Sequence, residues 1–208
     1  MRHEHEFTPP QTPEPRFTAC DKPQDSKPDT TNGPQQTAKT NIVLIGFMGC
    51  GKTAISQKLS GLLQMPVVDT DQEIEFAAGQ PIANIFDTFG EAYFRNLELR
   101  VIQRVSALSG HIISTGGGIV KNPDNIRLLQ ANGRLIYLQA SPERIFQNTK
   151  GDNTRPLLQG SNRRGRIEEL LKTREPLYKA CADCVVDVSH MELQESVLAV
   201  AKAWEELK

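Results

Sequence analysis

The sequence predicts an α/β fold in which helices flank a parallel sheet of five strands. Short apolar runs alternate along the chain with segments of helical periodicity, an order typical of parallel sheets whose crossover connections are helices. A glycine-rich phosphate-binding pattern stands directly between the first apolar run and the first helical segment. The chain has 208 residues, of which 38% are hydrophobic and 24% are charged, so its composition is that of a globular protein.

The strands are predicted at apolar runs that are short enough to be buried strands and too short to be helices. These runs lie at 41–46, 66–69, 111–115, 134–138 and 184–187. Helical periodicity occupies the segments between and after them. The helices are predicted at 52–63, from 71 to about 108 with breaks near 79–81 and 89–90, and near 123–130, 142–148, 164–179 and 191–207. This alternation predicts a sheet that is covered on both faces.

The first 39 residues differ in composition from the rest of the chain. Residues 1–39 contain seven of the 13 prolines and almost no aliphatic side chains. Such a segment cannot bury enough apolar surface to offset the entropy lost on ordering, so we expect a disordered extension before a domain at 40–208. Within the domain, the polar stretch at about 149–164 is rich in Gly, Asn and Arg. A long arginine-bearing loop in a compact domain is typical of a mobile lid, and a surface insertion is the alternative.

Charge and composition exclude several classes of protein. The 24 basic and 25 acidic side chains leave a net charge of −1, which gives no electrostatic basis for binding nucleic acid or a membrane surface. No apolar run approaches the roughly 20 residues that cross a bilayer, and the N-terminus lacks the order of a signal peptide. We therefore expect a cytoplasmic protein. Four cysteines are too few for a disulfide-stapled module, and Cys181 and Cys184 lack the two further ligands of a structural zinc site.

The phosphate-binding pattern is Gly46-Phe-Met-Gly-Cys-Gly-Lys-Thr53, which fits G-x-x-x-x-G-K-[ST]. Its glycines let backbone N–H groups turn toward phosphate oxygens, and the helix N-terminus adds partial positive charge. Lys52 is expected to bind the β- and γ-phosphates, and Thr53 to ligate Mg²⁺. The other residues expected to contact the nucleotide here are Gly49, Cys50, Gly51 and Ala54. The pattern alone leaves a kinase, a GTPase and an ATPase open, although the sequence has no Asn-Lys-x-Asp signature of guanine recognition.

Two further groups of residues are expected to form an acceptor site. Asp69 and Asp71 follow the second strand, at the sheet edge where α/β proteins bind ligands. One carboxylate can serve a metal while the other meets the acceptor hydroxyl, and a helix cap is the alternative. Gly116, Gly117 and Gly118 close the third strand and permit a ligand to reach backbone N–H groups, with a flexible turn as the alternative.

Two arginines are candidates for binding a carboxylate. Arg95 lies one helical turn from Glu98, so the two side chains can pair at i, i+3. Arg174 lies in the last predicted helix but one. Either arginine, taken alone, is equally consistent with a surface ion pair. A guanidinium group is nevertheless well suited to bidentate recognition of a carboxylate.

Taken together, these motifs resemble those of the shikimate kinases. In chain order they are GFMGCGKT, DTD, IFDTFGEAYFRNLE, STGGG, TRPLL and TREPLY. The resemblance covers residues from about 41 to 190, and the combination of FGEAYFRNLE, GGG and RPLL is specific to this family among small P-loop kinases. It implies a P-loop kinase fold with a mobile lid, ATP as co-substrate and Mg²⁺ as cofactor. The implied reaction transfers the γ-phosphate of ATP to the 3-hydroxyl of shikimate, a step of aromatic amino-acid biosynthesis, in a protein that is typically a monomer.

The resemblance also implies roles for the acceptor-site residues. Asp71 would accept hydrogen bonds from the ring hydroxyls of shikimate and act as the base. Arg95 and Arg174 would bind the shikimate carboxylate, and Glu98 would orient the first of these arginines. Gly117 and its neighbours would line the same pocket.

Roles on the nucleotide side follow in the same way. Asp69 would reach Mg²⁺ through water, and Arg155 of the lid would approach the transferring phosphoryl group beside Lys52. The sequence departs from some relatives in two places. Ala54 stands where many carry a second hydroxyl residue, and the segment 187–190 lacks an arginine that some have on the adenine side. Contacts to the adenine base are therefore not assigned.

Two other functions are weighed against this one. Another small P-loop kinase, for gluconate or a nucleotide, would keep the phosphate loop and lid but need not keep both arginines or the three glycines. A non-catalytic ligand sensor would be expected to lose Lys52, Asp71 or Arg155, and this chain retains all three.

Cys50 lies beside a lysine at a helix N-terminus, which favours a reactive thiolate, and a small residue filling a tight turn is the alternative.

Overall fold

The computed structural model of the chain describes residues 39–151 and 162–208. The predicted disordered extension, apart from its last residue, lies outside the described residues, and so do residues 152–161 of the predicted lid. The described ends of that lid are the end of one helix and the start of the next. Whether the first segment is disordered and the second mobile therefore stays a prediction.

A five-stranded sheet forms the centre of the domain, and all of its strand pairs are parallel. Its strands are β1 Asn41–Ile45, β2 Val67–Asp69, β3 Ile112–Ser114, β4 Gly133–Gln139 and β5 Cys184–Asp187. Their order in the sheet is β2-β3-β1-β4-β5. Every residue of the central strand β1 is buried, as expected for a parallel strand covered by helices on both faces. The predicted α/β architecture is thus confirmed.

Seven helices pack around the sheet in the described part of the chain. They are α1 Lys52–Leu63, α2 Thr70–Ala78, α3 Ile82–Ser106, α4 Pro123–Asn132, α5 Pro142–Thr149, α6 Arg163–Cys181 and α7 Leu193–Leu207. Each predicted helix is present, with ends that differ from the predicted ones by a few residues. A short 3₁₀ helix at Ile119–Lys121 was not predicted. It directly follows the three glycines and leads into α4.

Parallel pairing places the carboxyl ends of all strands at one edge of the sheet. Since β3 lies between β1 and β2, the segments that follow these three strands lie side by side at that edge. They are the phosphate loop after β1, the two aspartates after β2 and the three glycines after β3. The connection from β1 runs to β2 on one side of the sheet, and the connection from β3 runs to β4 on the other side. The adjacent strands β1 and β3 therefore form a switch point, where α/β proteins bind ligands.

Helix α3 bends at Gly90, whose φ of 78° and ψ of 176° are not helical. The predicted breaks near 79–81 and 89–90 are therefore both present. At the first break, Glu75 Oε1 accepts a hydrogen bond from Ile82 N at 2.9 Å, which ties the end of α2 to the start of α3. The bend separates a short first part of α3 from the longer part that carries Arg95. No helix within residues 39–151 and 162–208 has the length and apolar character that crossing a membrane requires.

We predict that Gly90→Ala destabilises the protein by about 1–3 kcal/mol, because its backbone conformation is essentially restricted to glycine. Gly61→Ala is the matched control. A Cβ at either glycine would meet nothing within 4 Å, but Gly61 lies inside the regular helix α1. Its replacement should stabilise the protein by about 0.5–1 kcal/mol. Urea unfolding measures both changes, and a Gly90→Ala variant as stable as the wild type would contradict the strained bend.

Candidate active site

The phosphate loop connects β1 to α1 and is shaped by glycines with positive φ. Gly49 and Gly51 have φ values of 80° and 103°, which other residues rarely adopt. Gly51 is the N-cap of α1 and has no side chain to hydrogen-bond the first turn of the helix. The loop and the helix N-terminus therefore present backbone N–H groups at the sheet edge, the arrangement that binds phosphate.

Lys52 lies within the curve of this loop and is only 8% exposed. Its Nζ donates to the carbonyl oxygens of Gly46 at 2.7 Å and Phe47 at 3.0 Å. Cys50 is 3% exposed, and its Sγ would be 2.9 Å from a Cβ placed on Gly46. The thiol therefore fills the tight turn, and the reactivity predicted for it stays a prediction about a nearly inaccessible group. Ala54 lies on the exposed side of the first turn of α1. It lines a cavity that is also lined by residues 48–53 of the phosphate loop.

Asp69 ends β2 and uses its two carboxylate oxygens differently. Oδ1 caps α2 by accepting from the backbone N–H groups of Asp71 at 3.0 Å and Gln72 at 3.4 Å. Oδ2 accepts from Thr53 Oγ1 at 3.2 Å and from Ser114 Oγ at 3.1 Å. The helix-cap alternative is thus present in the structure, and it leaves the second oxygen at the phosphate loop.

The pairing of Asp69 with Thr53 fits a magnesium ion. Mg²⁺ prefers oxygen ligands and is commonly held by one or two protein oxygens, with substrate phosphates and water completing the shell. Both side chains line the cavity that contains the phosphate loop. No group of three or more His, Cys, Asp or Glu side chains that could hold a metal occurs in the described part of the chain.

Asp71 lies in the first turn of α2, at the boundary of two neighbouring cavities. One cavity contains the phosphate loop, and the other contains both candidate arginines. Met48, Asp71 and Gly117 line both. A carboxylate at this shared wall can contact a group bound in either cavity. This is the arrangement that a transfer between two ligands requires.

The second cavity has a cationic end and an apolar wall. Arg95 NH1 donates to both carboxylate oxygens of Glu98 at 2.9 Å, and its guanidinium lies 5.0 Å from the centre of the Phe94 ring. Arg174, which is 6% exposed, donates from NH1 to Gly117 O at 3.3 Å. The sequence left open that these arginines form surface ion pairs, but both side chains line the cavity. Its apolar wall is formed by Pro81, Ile82, Ala83, Phe86 and Phe94.

The environment of Arg95 keeps its charge. Burial alone would lower the pKa of this arginine, but the carboxylates of Glu98 and Glu91 hold it above its ordinary value. Glu98 is 2% exposed, and burial raises the pKa of its carboxyl group against the opposing effects of Arg95 and Asn125. Glu91 in turn accepts from Lys121, which lowers the pKa of Glu91. The guanidinium is therefore held between two carboxylates.

The three glycines after β3 each lie against a different part of the site. A Cβ on Gly116 would be 2.5 Å from Asp71 Oδ1, and one on Gly117 would be 2.9 Å from Met48 N in the phosphate loop. One on Gly118 would be 2.8 Å from Arg95 NH2. The N–H of Gly116 donates to Thr70 Oγ1 at 3.1 Å. All three glycines line the second cavity, and their packing, rather than flexibility, requires that they lack side chains.

Several residues at the site were not identified from the sequence. Tyr178 donates from its hydroxyl to Gly117 O beside Arg174, and its ring stacks on Tyr137 at 4.9 Å. Asn148, at the end of α5, donates to Gly49 O at 2.8 Å. Beyond the phosphate loop, the first cavity is lined by Arg144, Asn148, Val188, Leu193 and Ser196. Tyr178 ends the TREPLY motif, in which only Arg174 was assigned a role, and no motif marks Arg144, Asn148, Leu193 or Ser196. Arg155, predicted to approach the phosphoryl group, lies outside the described residues.

Comparison with known proteins identifies relatives over nearly all of the described chain. A family model described as shikimate kinase matches residues 48–205. A shikimate kinase of Caldanaerobacter subterraneus subsp. tengcongensis is 45% identical over 168 residues, which are 81% of this chain and 98% of the relative. Among solved structures, shikimate kinase from Acinetobacter baumannii in complex with shikimate has a TM-score of 0.76 and 32% identity, covering 83% of this chain and 94% of the other. The enzyme from Bacteroides thetaiotaomicron has a TM-score of 0.73 and 28% identity, covering 81% and 98%.

Proposed function

The chain belongs to the shikimate kinase family, and we propose from the contacts of its site how it transfers the γ-phosphoryl group of ATP to the 3-hydroxyl of shikimate. The products are shikimate 3-phosphate and ADP, in the pathway to chorismate and the aromatic amino acids. One observation carries the proposal. Asp71 lies on the wall between a phosphate-binding cavity and a second cavity that holds two arginines.

On the nucleotide side, the backbone N–H groups of residues 49–54 bind the phosphates of ATP. Lys52 adds a positive charge beside the β- and γ-phosphates, where negative charge is concentrated during transfer. This role is supported by the burial of its side chain within the loop. Phosphoryl transfer depends mainly on positioning and charge neutralisation, which a rigid, buried ammonium group can supply at no cost in reorganisation.

On the acceptor side, the shikimate carboxylate binds between Arg95 and Arg174. The ring carbons lie against the apolar wall that includes Phe86 and Phe94. This orientation directs the hydroxyls, on the opposite side of the ring from the carboxylate, toward Asp71. Binding energy from the carboxylate, remote from the reacting oxygen, thus serves to orient the hydroxyl for attack.

Asp71 accepts a hydrogen bond from the 3-hydroxyl and takes its proton as the oxygen bonds to phosphorus. The bond between the γ-phosphorus and the bridging oxygen of ATP breaks, and ADP leaves with that electron pair. A general base of this kind contributes about 10²- to 10⁴-fold to a rate. Its position at the shared wall supports this role because one carboxylate can contact an acceptor and face the phosphate loop at once.

Thr53 and Asp69 are the residues that would hold Mg²⁺. When bound, the ion neutralises charge on the β- and γ-phosphate oxygens. The hydrogen bond of 3.2 Å between the two side chains supports the assignment, since it brings both oxygens to one place in the cavity. The other three donors of the local network, Ser114 and two backbone N–H groups, fix the orientation of the aspartate.

The remaining parts of the proposal concern the rest of the chain. Arg155 acts on the transferring phosphoryl group, and residues 1–39 have no assigned role. The enzyme is a cytoplasmic monomer that binds neither nucleic acid nor membranes. The near-neutral net charge of −1 supports the last point.

We predict that the purified protein releases ADP from Mg²⁺-ATP when shikimate is present. Gluconate, a nucleoside monophosphate and the absence of an acceptor should each give only background, as measured in a coupled ADP assay. Lys52→Met should lower turnover at least about 100-fold, because a charge beside the transferring group is lost. Lys58→Met, an exposed position on the same helix, is the control and should be unchanged. Turnover with gluconate or a nucleotide alone would refute the assigned acceptor.

We predict that Asp69→Asn keeps the helix cap of α2 and weakens the binding of Mg²⁺. Asparagine caps helices about as well as aspartate, so the free energy of unfolding should fall by about 1 kcal/mol at most. The Mg²⁺ concentration needed for half-maximal turnover should rise about ten-fold, because the remaining ligand is neutral. Asp69→Ala, which loses the cap as well, should also lose about 1–2 kcal/mol of stability. An unchanged Mg²⁺ requirement in Asp69→Asn would contradict the proposed metal site.

A further inference from the structure

A buried asparagine outside the predicted site contacts the ion pair that holds Arg95. Asn125 lies in the first turn of α4 and is 0% exposed. Its Nδ2 donates to Glu98 Oε2 at 3.2 Å, and the same oxygen lies 2.9 Å from Arg95 NH1. Two donors from different helices therefore meet at one buried carboxylate oxygen.

Stability alone does not account for an asparagine at this position. Within residues 39–151 and 162–208, its Oδ1 has no hydrogen-bond partner although it is buried. An unpaired buried carbonyl oxygen lowers stability, and an apolar side chain of similar size would avoid that cost. The next residue, Ile126, and Leu129 on the same helix are buried apolar side chains. The donor contact to Glu98 is what the asparagine provides that an apolar residue cannot.

The contact matters because Arg95 has little freedom to adjust. Its guanidinium lies so close to the backbone that a Cβ on Gly118 would be 2.8 Å from NH2 and 2.9 Å from NH1. On its other side it is bonded to both oxygens of Glu98. A rotation of the Glu98 carboxylate would therefore turn the guanidinium or break one of its hydrogen bonds. Asn125 opposes that rotation by holding one of the two oxygens from a different helix.

We propose that Asn125 is a positioning residue for the acceptor, which sets the orientation of the Arg95 guanidinium by holding Glu98 Oε2. This inference rests on the proposed function, in which Arg95 binds the shikimate carboxylate. Asn125 does not line the cavity, so its effect on the acceptor passes through Glu98 and Arg95. Asn125 affects the binding of the shikimate carboxylate and has no contact with the reacting hydroxyl or the nucleotide.

The same contact helps to keep Glu98 ionised. The charged groups that act on Glu98 are Arg95 on its own helix and Lys121 on the 3₁₀ helix, and both favour the carboxylate. The hydrogen bond from Asn125 on α4 acts in the same direction, against burial. Without that bond the pKa of Glu98 rises further. The carboxylate is then lost at a higher pH, and Arg95 loses its ion pair with Glu98 as the pH falls while Glu91 still contacts it.

The test is Asn125→Leu, which removes the donor and keeps the branching and the number of side-chain heavy atoms. The KM for shikimate and its dissociation constant by calorimetry should both rise about ten-fold, as for a lost hydrogen bond to a charged group. The kcat and the KM for ATP should stay within about two-fold, the pattern of an interaction equally strong in ground and transition states. As the pH is lowered, the rise in KM should begin at a higher pH in the variant than in the wild type. Asn125→Ala, which cannot clash, repeats the measurement if the leucine variant does not fold.

Two further variants separate positioning from folding. Asn122, three residues earlier, caps α4 by accepting from Asp124 N at 3.0 Å and lies outside the proposed network. Asn122→Ala should lower the unfolding midpoint and leave the KM for shikimate unchanged. In a Glu98→Met background, which has no side-chain oxygen to accept from Asn125, adding Asn125→Leu should have no more than about a two-fold effect, because coupled residues are not additive.

The possible outcomes distinguish a failure of the inference about Asn125 from a failure of the proposed function. Unchanged affinity for shikimate in an Asn125→Leu variant of an active enzyme would overturn this inference and leave the proposed function intact. So would the full ten-fold loss in the Glu98→Met background, since Asn125 would then act by another route. A wild-type protein that neither binds nor phosphorylates shikimate would instead overturn the proposed function itself.

Discussion

The site depends on a close packing constraint at the end of β3, where three successive backbone units lie in positions that exclude a side chain. Gly116 lies against the carboxylate of Asp71, Gly117 against the phosphate loop and Gly118 against the guanidinium of Arg95. Because β3 lies between β2 and β1, these neighbours come from both sides and from α3. The glycine run is therefore the common surface at which Asp71, the phosphate loop and Arg95 meet. Arg174 and Tyr178 complete it by donating to the carbonyl oxygen of Gly117.

The two cavities achieve charge complementarity in different ways. The phosphate loop relies on backbone N–H groups, a helix N-terminus and one buried lysine, which together suit a polyphosphate of fixed shape. The second cavity has two arginines, one paired with Glu98 and one held by backbone and aromatic contacts. A buried ion pair adds little net stability because both charges lose their hydration. Here the ion pair with Glu98 fixes the orientation of the Arg95 guanidinium. A guanidinium that is already positioned loses less conformational entropy when a carboxylate binds.

The sequence was sufficient to predict the architecture because its signals are local. Short apolar runs and helical periodicity identify each strand and helix, and the phosphate-binding motif fixes the turn between β1 and α1. The family resemblance predicted that Asp71, Arg95 and Arg174 share one acceptor site, and all three line one cavity. The order of strands followed from neither pattern, since periodicity carries no information about neighbours in a sheet.

Contacts between distant segments could not be predicted. Asn125 lies 27 residues from Glu98, and Lys121 lies 30 residues from Glu91, with no spacing that would suggest either pair. The 3₁₀ helix at Ile119–Lys121 also depends on tertiary packing. So does the position of Asp69, whose Oδ1 caps α2 while its Oδ2 accepts from Thr53 in the phosphate loop. The glycines illustrate the same limit. The run of three glycines suggested that a ligand reaches the backbone there. The structure shows that Asp71, Met48 and Arg95 also lie where glycine side chains would be.

We propose that Asp71, on the wall between the two cavities, acts as the base that takes the proton of the acceptor hydroxyl. The decisive variant is Asp71→Asn, with calorimetric binding of shikimate and ADP measured beside turnover in the same preparation. The dissociation constants should stay within about ten-fold of the wild type, since an amide keeps a hydrogen-bonding oxygen. Turnover should fall at least about 100-fold, as for a lost general base. Turnover near the wild-type value, or loss of activity explained entirely by weaker shikimate binding, would show that Asp71 is not the base.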